Sequence, residues 1–514
     1  MDGQGFRADN DHGRSMRAVE RLAPHRLAPE LADRAANALR HRFPDASACT
    51  GIPPYQRRMI GLVLVTTMIC VLAMPGLAGV IAQLLAAAGF TVLVLLRLIA
   101  AALPPRWAPC VELPDCDLPV VTILAPVFRE TAILDQLMQA LVAIDYPPRL
   151  LDIKIVLEAD DRETINAARE LAFDSRFELV LVPDGTLRTK PRALNYAVQF
   201  ARGDIVTIYD AEDVPHPAQL RAAAGAFAAA DERLGCVQAP LNWYNRRHNA
   251  LTRQFAMEYA VHFQATLPLL ARLGLAIPLG GTSNHLRRSA LEQAGGWDAY
   301  NVTEDADLGF RLARLGYRCD MIAPPTLEEA PETIARWTRQ RSRWLKGYLQ
   351  TLAVQLRHPS RLPARTVMGL CVTIGAAILS AVFHIPAVAA CLLIVAAGVS
   401  GTPGAALGLL ASGYAANMIC AAVAMRRAGF STRGIDLLRL PLYWPLQTVA
   451  AAIALVELNQ RPFFWAKTEH GFTRAAELPC RSPSPSFSRS SRSRPSSFVP
   501  CAPAASRTQR KVPA

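Results

Sequence analysis

The chain has 514 residues, 51% of them hydrophobic, with 55 Lys and Arg against 42 Asp and Glu and a formal charge of +13. A mean hydropathy of +0.18 is high for a soluble enzyme and sends the search to membrane segments first. No DNA- or RNA-binding motif accompanies the positive charge, so nucleic acid is not the expected partner; anionic lipid or a phosphate-bearing substrate fits instead.

Residues 1–55 are polar and rich in Arg and Ala, and are predicted to be a mobile cytosolic extension with no cleavable signal peptide. Met59 to Leu103 carries one charge, Arg97. At ~20 residues per span it holds two membrane helices, with a turn near "MPGLAG". Arg57 and Arg58 precede the first and Arg97 and Arg106 end the second, which places both flanks in the cytosol. Over residues 118–330 short β-branched runs ("VVTILAPVF", "IKIVLEAD", "FELVLV", "IVTIYD") alternate with helical patterns. That rhythm predicts an α/β domain, a mainly parallel sheet with helices on both faces. Residues 331–360 read as a basic amphipathic helix at the membrane surface. Thr366 to Met425 is 60 residues without Asp, Glu, Lys or Arg, the length of three spans. A fourth, near Ile435 to Leu458, would bring the total to six. Three spans leave the basic loop "RRAGFSTRGIDLLR" outside; two spans plus a re-entrant or interfacial segment keep it inside, as positive loops prefer. Residues 459–478 form a further interfacial segment, and 479–514 a Ser/Arg/Pro-rich basic tail expected to be disordered. Eleven scattered cysteines without a C-x-x-C pair read as reduced structural thiols.

Three clusters carry chemistry. "YDAEDVPHPAQL", from Tyr209, sets Asp210, Glu212 and Asp213 at the end of an apolar strand. "LEADD", Leu157 to Asp161, repeats the pattern. In parallel sheets ligands bind beyond the carboxyl ends of the strands, so two acidic strand ends predict one shared site. Close carboxylates repel unless a cation sits between them, and a D-x-D or D-x-E pair is a hard-oxygen site for Mg²⁺ or Mn²⁺ completed by phosphate. No P-loop and no Cys/His cluster is present, which disfavours a P-loop ATPase or a zinc enzyme. "GGWDAYNVTEDADLGFRLARLGYR" places Glu304, Asp305 and Asp307 at a helix start. One acid serves capping there; a spare one is available as general base. "QRSRW" sets Gln340, Arg343 and Trp344 on the amphipathic helix, either as a membrane-surface patch or as phosphate and sugar contacts.

Taken together, "APVFRE", "LEADD", "TKPRALNYA", "DAED", "GGTSNHLRRSAL", "TED", "QRSRW" and a C-terminal "PFFWAKTEHG" resemble family 2 glycosyltransferases. The closer resemblance is to membrane-embedded synthases related to cellulose and hyaluronan synthases, in a bacterial subgroup carrying DAED. It covers about residues 118–470. It implies a GT-A-like cytosolic domain joined to an α-helical transmembrane region in the bacterial inner membrane. It also implies a nucleotide-sugar donor of the UDP type, with Mg²⁺ or Mn²⁺ as cofactor. By position, Ala125, Pro126 and Glu130 match the uracil and ribose side. Glu158, Asp160 and Asp161 match the acidic strand end, where the family often has two aspartates and a glycine, so which of them meets uridine stays open. Lys190 and Asn195 match the donor side. Asp210 and Glu212 match the metal pair, with Asp213 open as an alternative to Glu212. Glu304 and Asp305 match the catalytic TED, Asp305 as base, and Gln340, Arg343 and Trp344 match the diphosphate and acceptor motif.

The resemblance implies inverting transfer to a growing β-linked polysaccharide, with export through the membrane helices and accessory export subunits as possible partners. The alternative acceptor is a membrane lipid, diacylglycerol or polyprenyl phosphate, given a single sugar. A non-catalytic receptor or assembly protein is a third reading; it would be expected to lack Asp210, Asp305 or Arg343, and all three are present.

Overall fold

The computed structural model describes residues 29–171, 176–185, 187–397, 403–465 and 471. Its centre is a seven-stranded sheet in the order β3-β2-β1-β4-β8-β6-β9. The strands are β1 (Val121–Val127), β2 (Leu151–Glu158), β3 (Phe177–Val182), β4 (Ile205–Ile208), β6 (Leu234–Gln238), β8 (Asn284–Arg287) and β9 (Arg318–Met321). All neighbours run parallel except β8, which is antiparallel to both β4 and β6. β2 is buried at every position, as expected for a central strand covered on both faces. One polar exception is Lys154, whose ammonium is held by Asp152 at 3.2 Å and Glu178 at 2.9 Å. A second sheet orders β5 (Val214–Pro215), β10 (Thr326–Glu328) and β7 (Leu241–Trp243) beside the ends of the first.

The N-terminal region departs from expectation. Residues 29–50 form part of the domain rather than a mobile extension; residues 1–28 lie outside the described residues. Helix α1 (Pro29–Arg42) buries Ala32, Ala35 and Leu39, the two alanines in the same core as Leu194, Tyr196 and Trp297. Those positions are three and four apart, so a helix polar on average still has an apolar stripe. Two 3₁₀ turns follow. The buried Arg357 guanidinium donates to the carbonyls of Asp45 (2.9 Å), Ser47 (2.9 Å) and Gly51 (2.7 Å), and Asp298 accepts from Ser47 Oγ and the Ala48 amide. Arg357→Ala is expected to lower unfolding stability by about 2–4 kcal/mol, because several carbonyls lose a charged donor together. Denaturant unfolding of the detergent-solubilised protein checks this; an unchanged midpoint would show that the clasp contributes nothing.

Five helices among the described residues are long and apolar enough to cross a membrane: Pro54–Ala73, Pro75–Ala102, Ala364–Leu393, Leu407–Arg427 and Leu440–Gln460. We call the first two α2 and α3. The expected pair with its break at "MPGLAG" is present, Pro75 opening α3. The expected total of six is not reached. One reason is the 30-residue length of Ala364–Leu393, which leaves the charge-free run room for two long helices, not three. That helix comprises α13 (Ala364–Leu370), a π-turn and α14 (Ala376–Ala396); α15 (Pro403–Arg427) follows. The basic loop after α15 lies against the α/β domain: Asp436 pairs with Arg253 at 3.0 Å and Arg246 covers Phe430. The last helix pair, α17 (Leu440–Tyr443) and α18 (Pro445–Gln460), runs beside α12 (Ile334–Gln355) instead of leading away. Trp337 donates to Tyr443, Lys346 pairs with Glu457 and Gln350 donates to the Pro462 carbonyl. The Asp436 and Phe430 contacts hold the positive loop on the domain side, and the last helix packs against both α12 and α14.

Candidate active site

The acidic strand ends converge. Asp210 and Glu212 follow β4, and Glu158 ends β2; all three line one cavity of about 1050 Å³ together with Pro126, Glu130, Lys190, Glu304, Asp305, Gln340, Arg343 and Trp344. Helix α11 (Glu304–Arg314) brings Glu304 and Asp305. Asp307, in the same first turn, is spent on Arg311 at 2.7 Å and accepts from Gln355, so the capping charge and the cavity charges are different residues. α12 approaches α11 through Gly347, where an added Cβ would collide with Thr303. The absence of a side chain there is what lets the "QRSRW" turn stand next to the TED turn.

The cation at Asp210 is Lys190. Its ammonium lies 2.5 Å from Asp210 Oδ1 and donates to the Gly281 carbonyl at 2.7 Å. Burial alone would lower the Lys190 pKa, but the Asp210 and Glu304 carboxylates more than offset it and hold it above its ordinary value. One lysine does not balance the surrounding acids. Burial and then Asp210 push Glu212 up to about 8. Burial pushes Asp213 well up, and Glu328 likewise. Glu328, at the end of β10, lines the cavity too. Neither Asp213 Oδ1 nor Glu328 Oε1 has a hydrogen-bond partner, and buried polar atoms in that condition are unusual.

Glu212 and Asp213 point in different directions. Asp213 is fully buried and accepts from the Asp210 amide at 2.8 Å and from the Thr282 hydroxyl. It shapes the turn, while Glu212 lines the cavity with Asp210. Among the described residues no three His, Cys, Asp or Glu side chains converge to hold an ion unaided. Two carboxylates are what Mg²⁺ commonly takes from a protein when phosphate and water fill the rest of the shell. Asp210 and Glu212, in an environment with more carboxylates than cations, fit such an ion.

Several matched residues stand elsewhere. Ala125 is wholly buried in β1; its neighbour Pro126 reaches the cavity. Asp160 pairs with Arg188 at 2.8 Å, and it is Arg188 that lines the cavity. Asp161 caps α5 (Arg162–Leu171) through the Thr164 amide and accepts from the Arg129 amide at 2.6 Å. Arg129 has φ +52°, a left-handed conformation that a non-glycine residue holds only when its surroundings insist. Asn195 is the clearest correction: it donates to the Ala35 and Trp297 carbonyls at 2.9 and 2.7 Å and accepts from the Trp297 amide. Its side chain is a strut joining α1, α6 (Lys190–Ala197) and the "GGW" turn, outside the cavity lining.

Sequence reasoning missed three partners. Arg192 donates to Glu158 at 3.3 Å, and burial still pushes Glu158 up to about 7. Glu258, on α8 (Ala250–Val261), takes Arg341 at 2.8 Å and the Tyr443 hydroxyl at 2.6 Å. Arg341 in turn stands 4.7 Å from the Trp344 ring, so a carboxylate on one helix fixes the tryptophan of another. Trp465 stacks against Arg343 at 5.2 Å. None of these pairings has a local sequence signal, since the partners are far apart in the chain; Lys190 and Arg192, both inside "KPRALN", were the nearest hint.

Residues 119–347 match the family description "Glycosyltransferase like family 2". The chain is 30% identical over 253 residues to a probable glycosyltransferase, YdaM, of Bacillus subtilis, covering 47% of this chain and 57% of that protein. It is 29% identical over 239 residues to the beta-monoglucosyldiacylglycerol synthase of Trichormus variabilis, covering 46% and 50%. It is 27% identical over 248 residues to the cellulose synthase 1 catalytic subunit of Komagataeibacter xylinus, covering 47% and 32%. The match thus spans about half the length of the first of these relatives or less. In fold, the mannosyltransferase PcManGT from Pyrobaculum calidifontis, solved with GDP-Man and Mn²⁺, is similar with a TM-score of 0.52 at 24% identity, covering 74% of this chain and 97% of that one. Residues 119–347 are therefore similar to the family 2 glycosyltransferases, and the fold is GT-A-like, set against helices long and apolar enough to cross a membrane.

Proposed function

We propose that the chain is an inverting, metal-dependent hexosyltransferase that moves a sugar from a UDP-sugar-type donor to a growing β-linked polysaccharide at the cytoplasmic face of a bacterial inner membrane. The observation that carries this reading is the cavity itself. It runs from Asp210 and Asp305 past Trp344 to Ser380, His384, Tyr414, Asn417 and Gln447 on the membrane-type helices. Trp444 stacks on Tyr414 at 5.1 Å beside His384. His384 and Tyr414 pair with each other at 3.3 Å, and a hydroxyl-rich sugar can use such polar groups and the aromatic faces at that depth.

The nucleotide side of the site is Pro126, Glu130, Glu158 and Arg188. Lys190 and Arg343 face the departing diphosphate. Asp305 takes the proton from the acceptor hydroxyl, whose oxygen attacks the anomeric carbon as the bond to phosphate breaks. Glu304, next to it, keeps the local potential negative and the proton acceptor basic. Arg343 gains most as charge grows on the leaving group. Trp344 offers the acceptor ring a face, held in place through Arg341 and Glu258. Mg²⁺ or Mn²⁺ at Asp210 and Glu212 would supply charge stabilisation to the diphosphate.

Single-sugar transfer to a membrane lipid is the second reading. It is favoured by the similarity to a monoglucosyldiacylglycerol synthase and by an apolar stretch of the same cavity along α3. Purified protein in nanodiscs with Mn²⁺, given radiolabelled UDP- and GDP-sugars, separates the two by product size. We expect high-molecular-weight material sensitive to a linkage-specific glycanase. A single labelled glycolipid would transfer the conclusion to the second reading, and no transfer from any donor would favour a receptor or assembly role.

A further inference from the structure

Arg97 is the one charge between Met59 and Leu103, yet its side chain faces the cavity. Among the described residues its guanidinium makes a single hydrogen bond, to the neutral hydroxyl of Thr266 at 2.8 Å. Other nearby cations are differently placed. Arg427 donates to the Ala100, Ala101 and Leu103 carbonyls at the end of α3, Arg341 is paired with Glu258 and Arg253 with Asp436. His262, beside Arg97, is held down to about 3 by burial first, with Arg97 and Arg341 contributing, so it stays neutral and adds no second positive charge. An ionisable group at this depth marks a functional site more often than an accident.

Arg97 stands five residues before the domain-side end of α3 at Ala102, about 7–8 Å along the axis. One to two turns deeper on the same helix, Phe90, Leu93 and Val94 also line the cavity, with Leu410 and Gly413 of α15 opposite. A cation at headgroup level with an apolar wall running inward from it is the complement of an amphiphile with an anionic head. We propose that this lobe of the cavity binds a phosphate-bearing lipid, its phosphate on Arg97 and Thr266 and its hydrocarbon chain along Phe90, Leu93 and Val94. The lobe belongs to the same cavity as Asp210 and Asp305, and the proposal rests on Arg97 and the apolar wall rather than on the choice of acceptor.

The test is native mass spectrometry of the full chain in a neutral maltoside detergent, titrated with phosphatidylglycerol. The wild-type chain is expected to retain one lipid, and Arg97→Gln to weaken that binding at least about tenfold. Leu93→Trp, which fills the apolar wall and keeps the charge, is expected to weaken it as well, while Arg58→Gln, an exposed arginine at the start of α2, leaves it unchanged. Equal retention by wild type, Arg97→Gln and Leu93→Trp overturns the proposal. Undecaprenyl phosphate displacing phosphatidylglycerol would identify a lipid-linked substrate as the occupant; failure to displace it would identify a bilayer phospholipid. Displacement by inorganic phosphate at equal concentration would show a small-anion site and overturn the lipid assignment. Loss of transfer activity with lipid retention intact would bear on the catalytic reading alone.

Discussion

Asp305→Asn is expected to lower the turnover number by about 10²–10⁴-fold, the usual contribution of a positioned general base, while UDP affinity stays within about threefold of wild type. The asparagine keeps the shape and the contact to the Ala306 amide but has no basic oxygen for the acceptor proton. Single-turnover transfer and UDP calorimetry on the same nanodisc preparation separate the two quantities. Equal losses of binding and turnover would remove Asp305 from the role of base. The pH profile supplies a companion check. Burial raises the Asp305 carboxyl above its ordinary range, and burial together with Asp305 pushes Glu304 up to about 7. A base must be ionised to act, so kcat/KM is expected to start falling at a higher pH than an ordinary aspartate would impose. An ordinary exposed aspartate would keep its activity to about pH 4. A profile that stays flat down to the range of an ordinary exposed aspartate would contradict the assignment.

Asp210→Asn is expected to cost about 10²–10³-fold in transfer, comparable to deleting one preorganised electrostatic contact at a reacting centre, and to remove the Mn²⁺ dependence of UDP binding. Here the structure adds something to the motif. Lys190 is 2.5 Å from Asp210, so an entering divalent ion meets a carboxylate already partnered. Lys190→Met serves as the contrast: it removes a cation from the diphosphate side but leaves both oxygen ligands. Its UDP binding is expected to remain Mn²⁺-dependent, whereas that of Asp210→Asn is not. If both variants kept the same Mn²⁺ dependence as wild type, Asp210 would not be a ligand.

Much of this molecule was legible from local pattern. β1, β2, β3 and β4 were all marked by β-branched runs, two of them (β2 and β4) ending in acids, because a strand buried on both faces needs an unbroken apolar run and polar residues return where the sheet ends. α11 and α12 were visible through their periodicity, and α2 and α3 through length and lack of charge. The clusters at Asp210, Asp305 and Arg343 were legible for a related reason: charge cannot be buried without a partner, so acids at strand ends and arginines on an otherwise apolar surface stand out.

What the sequence determined by itself, then, was the element types, the α/β class and the three clusters of chemistry, each fixed by forces acting within about ten residues. The tertiary structure decided which member of a cluster does what. Asp213 turns to Thr282 while Glu212 turns to the cavity, although both belong to one short turn. Asn195 became a strut because α1 arrived beside it from 160 positions away. The N-terminal segment was ordered by Arg357 from the far side of the domain, and the last apolar helix was drawn alongside α12 by Trp337, Lys346 and Gln350. In each case the deciding hydrogen bond joins residues remote in the chain, and composition and periodicity carry no information about such a partner.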